Sequence, residues 1–255
     1  LFVGTFIRMR IKETPAFEKV KKTNAIAKFP IVELFRSYRK SVLLTFGARV
    51  GETVSANVTN AFAIAYVTTQ LALPRTVALT GVLIAATVAL ILSPLFGGLS
   101  DRIGRRPVYM GSALFLAVFT IPFFYLLNTK ETSWIFLAIV LGYVFGSTVM
   151  LSVQAVYFTE MFGVNVRYSG LSIVYQLSSI LGGFTPAIAT YLISINNGKP
   201  WLVAAFTILS AIISIIAVYF SQETYKKDIT EREEEGSFLQ EEPVESLGTV
   251  DVFPK

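Results

Sequence analysis

The composition of the chain and the length of its apolar runs predict an all-α integral membrane protein. Hydrophobic residues make up 53% of the 255 residues and charged residues only 15%, whereas soluble domains carry about 25% charged residues. Long apolar runs recur along the chain, and roughly 20 helical residues at ~1.5 Å each cross a hydrocarbon core of ~30 Å. The mean hydropathy of +0.61 agrees with this class.

The chain contains no Cys and no His. Disulfides, thiol nucleophiles, Cys/His metal sites and Ser-His-Asp catalysis are therefore excluded. We expect no enzyme, no catalytic residue, no metal site and no cofactor. A proton moved near neutral pH would have to be carried by a carboxylate. The net charge of +5 suits membrane lipids with anionic headgroups rather than nucleic acid, because the basic residues lie beside apolar spans.

The elements can be assigned in chain order. Residues 1–7 are too few to cross a bilayer, so we expect the end of a truncated transmembrane helix and hence a fragment of a longer protein. Residues 8–40 form a basic stretch with ten Lys/Arg against three Glu, with an amphipathic surface helix within 15–38 that Pro30 breaks. The acidic tail, 221–255, is predicted to be mostly disordered. Between them lies a six-helix transmembrane bundle, 41–220, with spans at about 41–69, 76–99, 107–127, 134–158, 168–194 and 201–220.

The basic residues predict the orientation. The stretch 8–40 and the turns 100–107 and 159–167 lie on one side and carry fourteen Lys/Arg. The turns on the other side carry three, namely Arg75, Lys130 and Lys199. Because positive residues stay cytoplasmic, we expect a multi-pass protein of the cell (plasma or inner) membrane whose central loop and C-terminal tail are cytoplasmic.

The first span carries two charges at depth. Arg49 lies roughly 12 Å into it by helical rise, and Glu52 lies another turn in, where a charge costs at least ~2.5–3.5 kcal/mol unless it is paired or hydrated. Their i, i+3 spacing allows an ion pair. One helical face, which must contact protein or water, holds Arg49, Glu52, Thr53, Ala56, Asn57 and Asn60. We interpret Arg49, Asn57 and Asn60 as substrate-binding residues and Glu52 as the proton-coupling residue; the alternative is a neutralised structural pair.

Two later spans carry weaker polar stripes. The fourth span aligns Tyr143, Ser147, Gln154 and Tyr157, and the fifth aligns Ser172, Gln176, Ser179 and Gly183. Helix packing is the favoured interpretation of both stripes, and cavity lining is the alternative. On the second interpretation Gln154 and Gln176 contact substrate. The sixth span has few polar groups and is expected to face lipid.

The turn between the second and third spans, GGLSDRIGRRP at 97–107, packs four charges into six residues. Gly98 and Gly104 permit a tight reversal, and Pro107 suits the first turn of the next helix. Asp101 can cap that helix or meet the positive end of another, and the three arginines can reach Glu160. The turn is either a topology anchor or a latch that opens and closes the cytoplasmic side.

Several stretches resemble a known family. The turn GGLSDRIGRRP resembles the signature G-x-L-[SA]-D-R-x-G-R-R-P of the major facilitator superfamily. IRMRIKETPAF, YFTEMFGVNVRYSGLSIVYQLSSILGGFTPAIATYLI and SQETYKKDI are similar to segments of its metabolite:proton symporter branch, so the resemblance covers about 7–228. The position of the signature implies the C-terminal half of the bundle, helices 7–12, whose partner would be the missing N-terminal six-helix half.

The resemblance implies a proton symporter for a small organic acid or zwitterionic metabolite that works by alternating access. It implies a conformational gate made of Asp101, Arg102, Gly104, Arg105, Arg106, Glu160 and Arg167. The substrate-binding role of Arg49 and the proton-coupling role of Glu52 are inferred from their depth in the first span and their shared helical face, not from a family motif. The alternatives are a nonfunctional truncated half-transporter and a membrane-anchored interaction protein that does not transport.

Overall fold

The computed structural model of the chain describes residues 30–163 and 166–221. Within these ranges it contains a short helix, α1 (Pro30–Ser37), and six long helices. The long helices are α2 (39–69), α3 (Arg75–Ile103), α4 (Arg105–Asn128), α5 (Thr132–Thr159), α6 (Arg167–Ile195) and α7 (Trp201–Phe220). The predicted helix end at 1–7, most of the basic stretch and nearly all of the acidic tail lie outside the described residues.

The six predicted spans correspond to α2–α7, with boundaries that differ by a few residues. Five of these helices, α3 to α7, are long and apolar enough to cross a membrane. The expectation of an all-α, multi-pass membrane protein is confirmed. α2 is also long enough to span at ~1.5 Å per residue, but its polar stripe makes it less apolar, and its crossing of the bilayer stays a prediction.

The end of the basic stretch is helical and packed. α1 begins at Pro30, a position where the missing N–H of proline costs nothing. Leu34 of α1 is fully buried in a small cluster with Val42, Phe162 and Val174. The part of the stretch nearest α2 is therefore held against the turn before α6 and the start of α6.

The reversal between α3 and α4 is shorter than predicted. α3 continues to Ile103 and α4 begins at Arg105, so only Gly104 separates them. Gly104 adopts φ 108° and ψ 155°, a conformation that favours glycine because it has no Cβ. The expectation that Gly98 also forms the reversal is wrong, because Gly98 lies inside α3.

The last span is packed on one face only. Leu209, Ile216 and Phe220 of α7 are more than half exposed, so the expectation that this span faces lipid stays a prediction for that face. α7 packs mainly against α2 and α4. Its buried residues are Val203, Ala204, Thr207, Ser210, Ala211, Ser214, Ala217 and Val218. The Ser214 hydroxyl donates to the carbonyl oxygen of Ala48 at 2.7 Å and accepts from the backbone N–H of Gly51 at 2.7 Å. Small residues on both helices allow this close approach.

Two π-helical turns interrupt the long helices where α2 and α5 cross. One is Val58–Phe62 in α2 and the other is Val144–Thr148 in α5. Gly146, inside the α5 turn, leaves room for the side chain of Ser55 just before the α2 turn. A π turn widens a helix by one residue and often marks a functional region.

Candidate functional site

The predicted ion pair forms on α2. Nη1 of Arg49 lies 3.8 Å from Oε2 of Glu52, and the two side chains are only 12% and 7% exposed. The i, i+3 spacing places both groups on one face of the helix. The pair is long for a charge-assisted hydrogen bond, which joins nitrogen and oxygen at about 2.7–2.9 Å, so it neutralises charge without a tight direct contact.

A residue that the sequence analysis missed holds the guanidinium. Tyr175 of α6 lies under Arg49, with the ring centroid 3.8 Å from Cζ. An aromatic face attracts a cation at this distance. Among the described residues no hydrogen-bond acceptor is within reach of Nε or Nη1 of Arg49, although both atoms are buried. The arginine is therefore fixed in place but has donors available for another group.

Hydroxyl groups surround the carboxylate of Glu52. Thr53 lies 3.4 Å away through its Oγ1, and the buried hydroxyl of Ser147 of α5 lies near the same carboxylate. Tyr109 of α4 is fully buried nearby and donates to the carbonyl oxygen of Ala48 at 3.0 Å. The pair thus lies where α2, α4, α5 and α6 meet.

The other residues of the α2 stripe lie toward α6. Asn57 is half-buried and donates to the carbonyl oxygen of Thr53 at 2.8 Å. A methyl group added to Gly182 of α6 would meet Thr53 at 2.5 Å and Asn57 at 3.0 Å, so this glycine permits the crossing. Asn60 is half-buried in the π turn. None of the six stripe residues is exposed, as expected for a face that contacts protein.

The stripes of α5 and α6 differ from one another. In α5, Gln154 is 1% exposed, and both its amide atoms lack a partner within the described part of the chain. In α6, Gln176, Ser179 and Gly183 are exposed, and nothing lies within 4 Å of a methyl group added at Gly183. The favoured packing interpretation is therefore wrong for the α6 stripe within this chain, and lining of a cavity by Gln176 stays a prediction.

The predicted gate residues converge at the end of the bundle that carries the basic residues. Arg105 forms an ion pair with Asp101 and donates to the Ser100 hydroxyl at 2.9 Å. Its Nε lies 3.9 Å from Oε2 of Glu160, at the end of α5. The expectation that Asp101 caps α4 is wrong, since no side chain caps that helix and Asp101 pairs with Arg105 instead.

The remaining gate residues have separate contacts. Arg106 donates to the carbonyl oxygen of Tyr219 at the end of α7 and lies 5.3 Å from the centroid of that ring. Arg167 donates to the carbonyl oxygen of Phe162 at 3.3 Å, and Arg102 is exposed. Of the contacts between Glu160 and the arginines of the turn that the sequence analysis allows, the structure shows the one with Arg105.

In the part of the chain that the structure describes, no three carboxylates converge in a way that could hold a metal ion. The absence of a cofactor stays a prediction.

Comparison with known proteins decides the family. Residues 11–253 match the family model described as Major Facilitator Superfamily. The chain belongs to the major facilitator superfamily. This match confirms the resemblance seen in the signature turn.

The relatives that this chain matches are transporters by name, and they are not enzymes. It is 32% identical over 225 residues to the shikimate transporter of Escherichia coli strain K12, covering 87% of this chain and 51% of the relative. It is 30% identical over 271 residues to a putative proline/betaine transporter of Staphylococcus aureus strain COL, covering 97% and 55%. The proline/betaine transporter of Escherichia coli strain K12 is 26% identical over 259 residues, covering 94% and 49%.

The chain therefore spans about half the length of the curated relatives it matches. No solved structure matches it.

Proposed function

We propose that this chain is the C-terminal six-helix half of a proton-coupled symporter for a small carboxylate-bearing metabolite, either an organic acid or a zwitterion. The observation that carries the proposal is Arg49, whose side chain is 12% exposed and lies over the ring of Tyr175. Its buried Nε and Nη1 have no hydrogen-bond partner among the described residues. The names of the relatives, shikimate and proline/betaine transporters, support it, because all three named compounds contain a carboxylate.

Arg49 is the proposed receptor for that carboxylate. A guanidinium presents five N–H donors in a planar fork that matches two carboxylate oxygens. The contact of its guanidinium with the ring of Tyr175 restricts the movement of the side chain, so less conformational entropy is lost when an anion binds. Gln154, Asn57, Asn60 and Gln176 are the proposed polar contacts for the rest of the substrate.

Glu52 is the proposed proton carrier. It is a buried carboxylate one helical turn from the proposed substrate receptor, and the chain has no His to take this role. A substrate anion that attracts Arg49 weakens the 3.8 Å pair, and binding a proton then removes the charge left on Glu52. The hydroxyls of Thr53 and Ser147 can donate to the ionised form and accept from the protonated one.

The charge cluster at the other end of these helices is the proposed gate. Arg105 connects Asp101 at the end of α3 with Glu160 at the end of α5. Breaking these contacts would let α3 and α5 separate while the missing N-terminal half moves against this one. We place this end on the cytoplasmic side of the plasma or inner membrane, from its excess of Lys and Arg.

The test is uptake by the full-length protein in proteoliposomes with an acidic exterior. Radiolabelled betaine and shikimate are offered in turn, and one of them should accumulate above equilibrium and be released by a protonophore. Arg49→Gln should raise KM for that substrate by at least tenfold, since a charge-assisted contact is lost. Arg75→Gln, an exposed arginine at the opposite end of the bundle, is the matched control. Proton-independent uptake would reject symport, and an unchanged KM in Arg49→Gln would reject the receptor assignment.

A further inference from the structure

The backbone of α2 beside the Arg49–Glu52 pair is held by side chains from two other helices. The hydroxyl of Tyr109, on α4, donates to the carbonyl oxygen of Ala48 at 3.0 Å. The hydroxyl of Ser214, on α7, donates to the same oxygen at 2.7 Å. Both side chains are fully buried. Two helices therefore meet at the carbonyl group that directly precedes Arg49.

Ser214 also holds the residue that directly precedes Glu52. Its oxygen accepts a hydrogen bond from the N–H of Gly51 at 2.7 Å and lies 3.0 Å from the carbonyl oxygen of Gly47. Backbone groups inside an α-helix already have partners four residues away, so these contacts are additional to the hydrogen bonds of α2 itself. Their effect is to fix the depth and the rotation of this turn of α2 relative to α7.

The side chain of Arg49 leaves α2 on nearly the opposite side. Gly47 and Gly51 face α7, where a methyl group on either would lie within 3.0 Å of a side-chain atom. Successive residues of an α-helix are turned by about 100°, so Arg49 points about 160° away from both glycines. There its Cζ lies 3.8 Å from the ring centroid of Tyr175. One turn of α2 is thus held by its backbone against α4 and α7 and by Arg49 against α6.

The contacts of Arg49 are sensitive to small rotations of this turn. A helix with its side chains is about 10–12 Å across, so a rotation of about 10° moves the end of a side chain by about 1 Å. Arg49 has two contacts of 3.8 Å, one to Glu52 and one to the ring of Tyr175. Binding geometries tolerate displacements of only about 0.5 Å. A hydrogen bond lost at Ala48 therefore affects a group on the far side of the helix.

We propose that Tyr109 and Ser214 are positioning residues for the coupling site, and that they keep Arg49 in contact with Tyr175. This inference rests on the proposed function, because the group that they position is the proposed carboxylate receptor. Neither residue contacts substrate in this account, since each acts through the backbone of α2. α4 and α7 also pack against each other, so the two hydroxyls belong to one support.

The test separates positioning from folding by comparing KM with kcat. The full-length protein in proteoliposomes takes up radiolabelled betaine or shikimate, whichever the parental protein accumulates. Tyr109→Phe removes one hydroxyl and leaves the packed ring, and Ser214→Ala removes the other hydroxyl. One matched control is Tyr157→Phe, a fully buried tyrosine whose hydroxyl bonds to Ser221. The other is Ser210→Ala, a buried serine of α7 whose hydroxyl bonds within its own helix.

We expect Tyr109→Phe and Ser214→Ala each to raise KM about threefold, within the range of one neutral hydrogen bond, and to leave kcat within about twofold. Together they should raise KM about tenfold, and both controls should keep the parental KM. In Arg49→Gln, adding Tyr109→Phe should change KM no further, because the group that is positioned is already gone. A lower kcat at parental KM would indicate a purely structural role and would overturn the inference, as would a further rise of KM in the Arg49→Gln protein.

Failure of the proposed function gives a different result. A parental protein that accumulates neither compound, or an Arg49→Gln protein with the parental KM, rejects the receptor assignment. Positioning is then decided by thermal unfolding of the full-length protein in detergent. Arg49→Gln should lower the midpoint of the Tyr109→Phe/Ser214→Ala protein at most about half as much as that of the parent, because residues that act on one another are not additive. An equal fall in both backgrounds would overturn the inference.

Discussion

The charge balance of the Arg49–Glu52 pair can be tested by removing first one charge and then both. Arg49→Gln leaves the carboxylate of Glu52, whose side chain is 7% exposed, without the ion-pair partner that the described residues provide. At 3.8 Å the lost attraction is about 4 kcal/mol for an effective dielectric constant near 20. Breaking one partner of a buried pair typically costs about 3–5 kcal/mol, so both estimates agree.

Adding Glu52→Gln to Arg49→Gln should recover most of that loss, because no buried charge then remains. Glu52→Gln alone should be milder than Arg49→Gln, since the amide oxygen stays available to the guanidinium and Tyr175 still supports it. These outcomes follow because the ring of Tyr175 still supports Arg49 when Glu52 is changed, whereas Glu52 loses its ion-pair partner when Arg49 is changed.

The assay is denaturant-induced unfolding of the purified full-length protein in detergent, followed by circular dichroism. Arg75→Gln serves as control, because this exposed arginine should contribute less than about 1 kcal/mol. A double variant as unstable as Arg49→Gln, or an Arg49→Gln protein as stable as the parent, would contradict the reasoning.

Three further predictions address packing, gate and orientation. Gly51→Ala places a methyl 2.7 Å from the Ser214 hydroxyl and should lower the free energy of unfolding by about 1–3 kcal/mol. Gly111→Ala, which has open space around the added methyl, is the control and should be neutral or stabilising. Equal effects of the two variants would reject the α2–α7 contact. Asp101→Asn should cut transport severalfold while changing stability by less than about 1 kcal/mol, and transport at the parental rate would reduce the turn to a topology signal. A C-terminal tag should be inaccessible to antibody in intact cells and one beside Lys130 accessible; the reverse pattern would overturn the orientation.

The length and position of the helices were predictable because apolar runs and charged turns mark the membrane boundaries directly. The Arg49–Glu52 pair was predictable too, since helical periodicity alone places residues three apart on one face. The role of α7 was not foreseen, although its small residues recur every three or four positions, from Thr207 through Ser214 to Ala217. That spacing is the usual signal of close helix packing in membranes.

Other parts of the site depend on tertiary contacts that no local pattern encodes. Tyr175 lies next to Gln176, a member of the α6 stripe, but it faces Arg49 whereas Gln176 is exposed. Its role follows from the crossing of α2 and α6, which Gly182 permits. The π turns likewise have no sequence signature that distinguishes them from α-helix, so they could be seen only in the structure.

The central claim, that Glu52 carries the coupled proton, is tested most directly by transport through Glu52→Gln. The full-length variant is reconstituted in proteoliposomes, and two rates are measured: uphill accumulation driven by a proton gradient, and downhill exchange of labelled for unlabelled substrate. Glu131→Gln, an exposed carboxylate beside the start of α5, is the matched control. We predict that Glu52→Gln abolishes accumulation and retains exchange, while the control keeps both. Proton-dependent accumulation by Glu52→Gln would contradict the account and would assign the carrier to another residue.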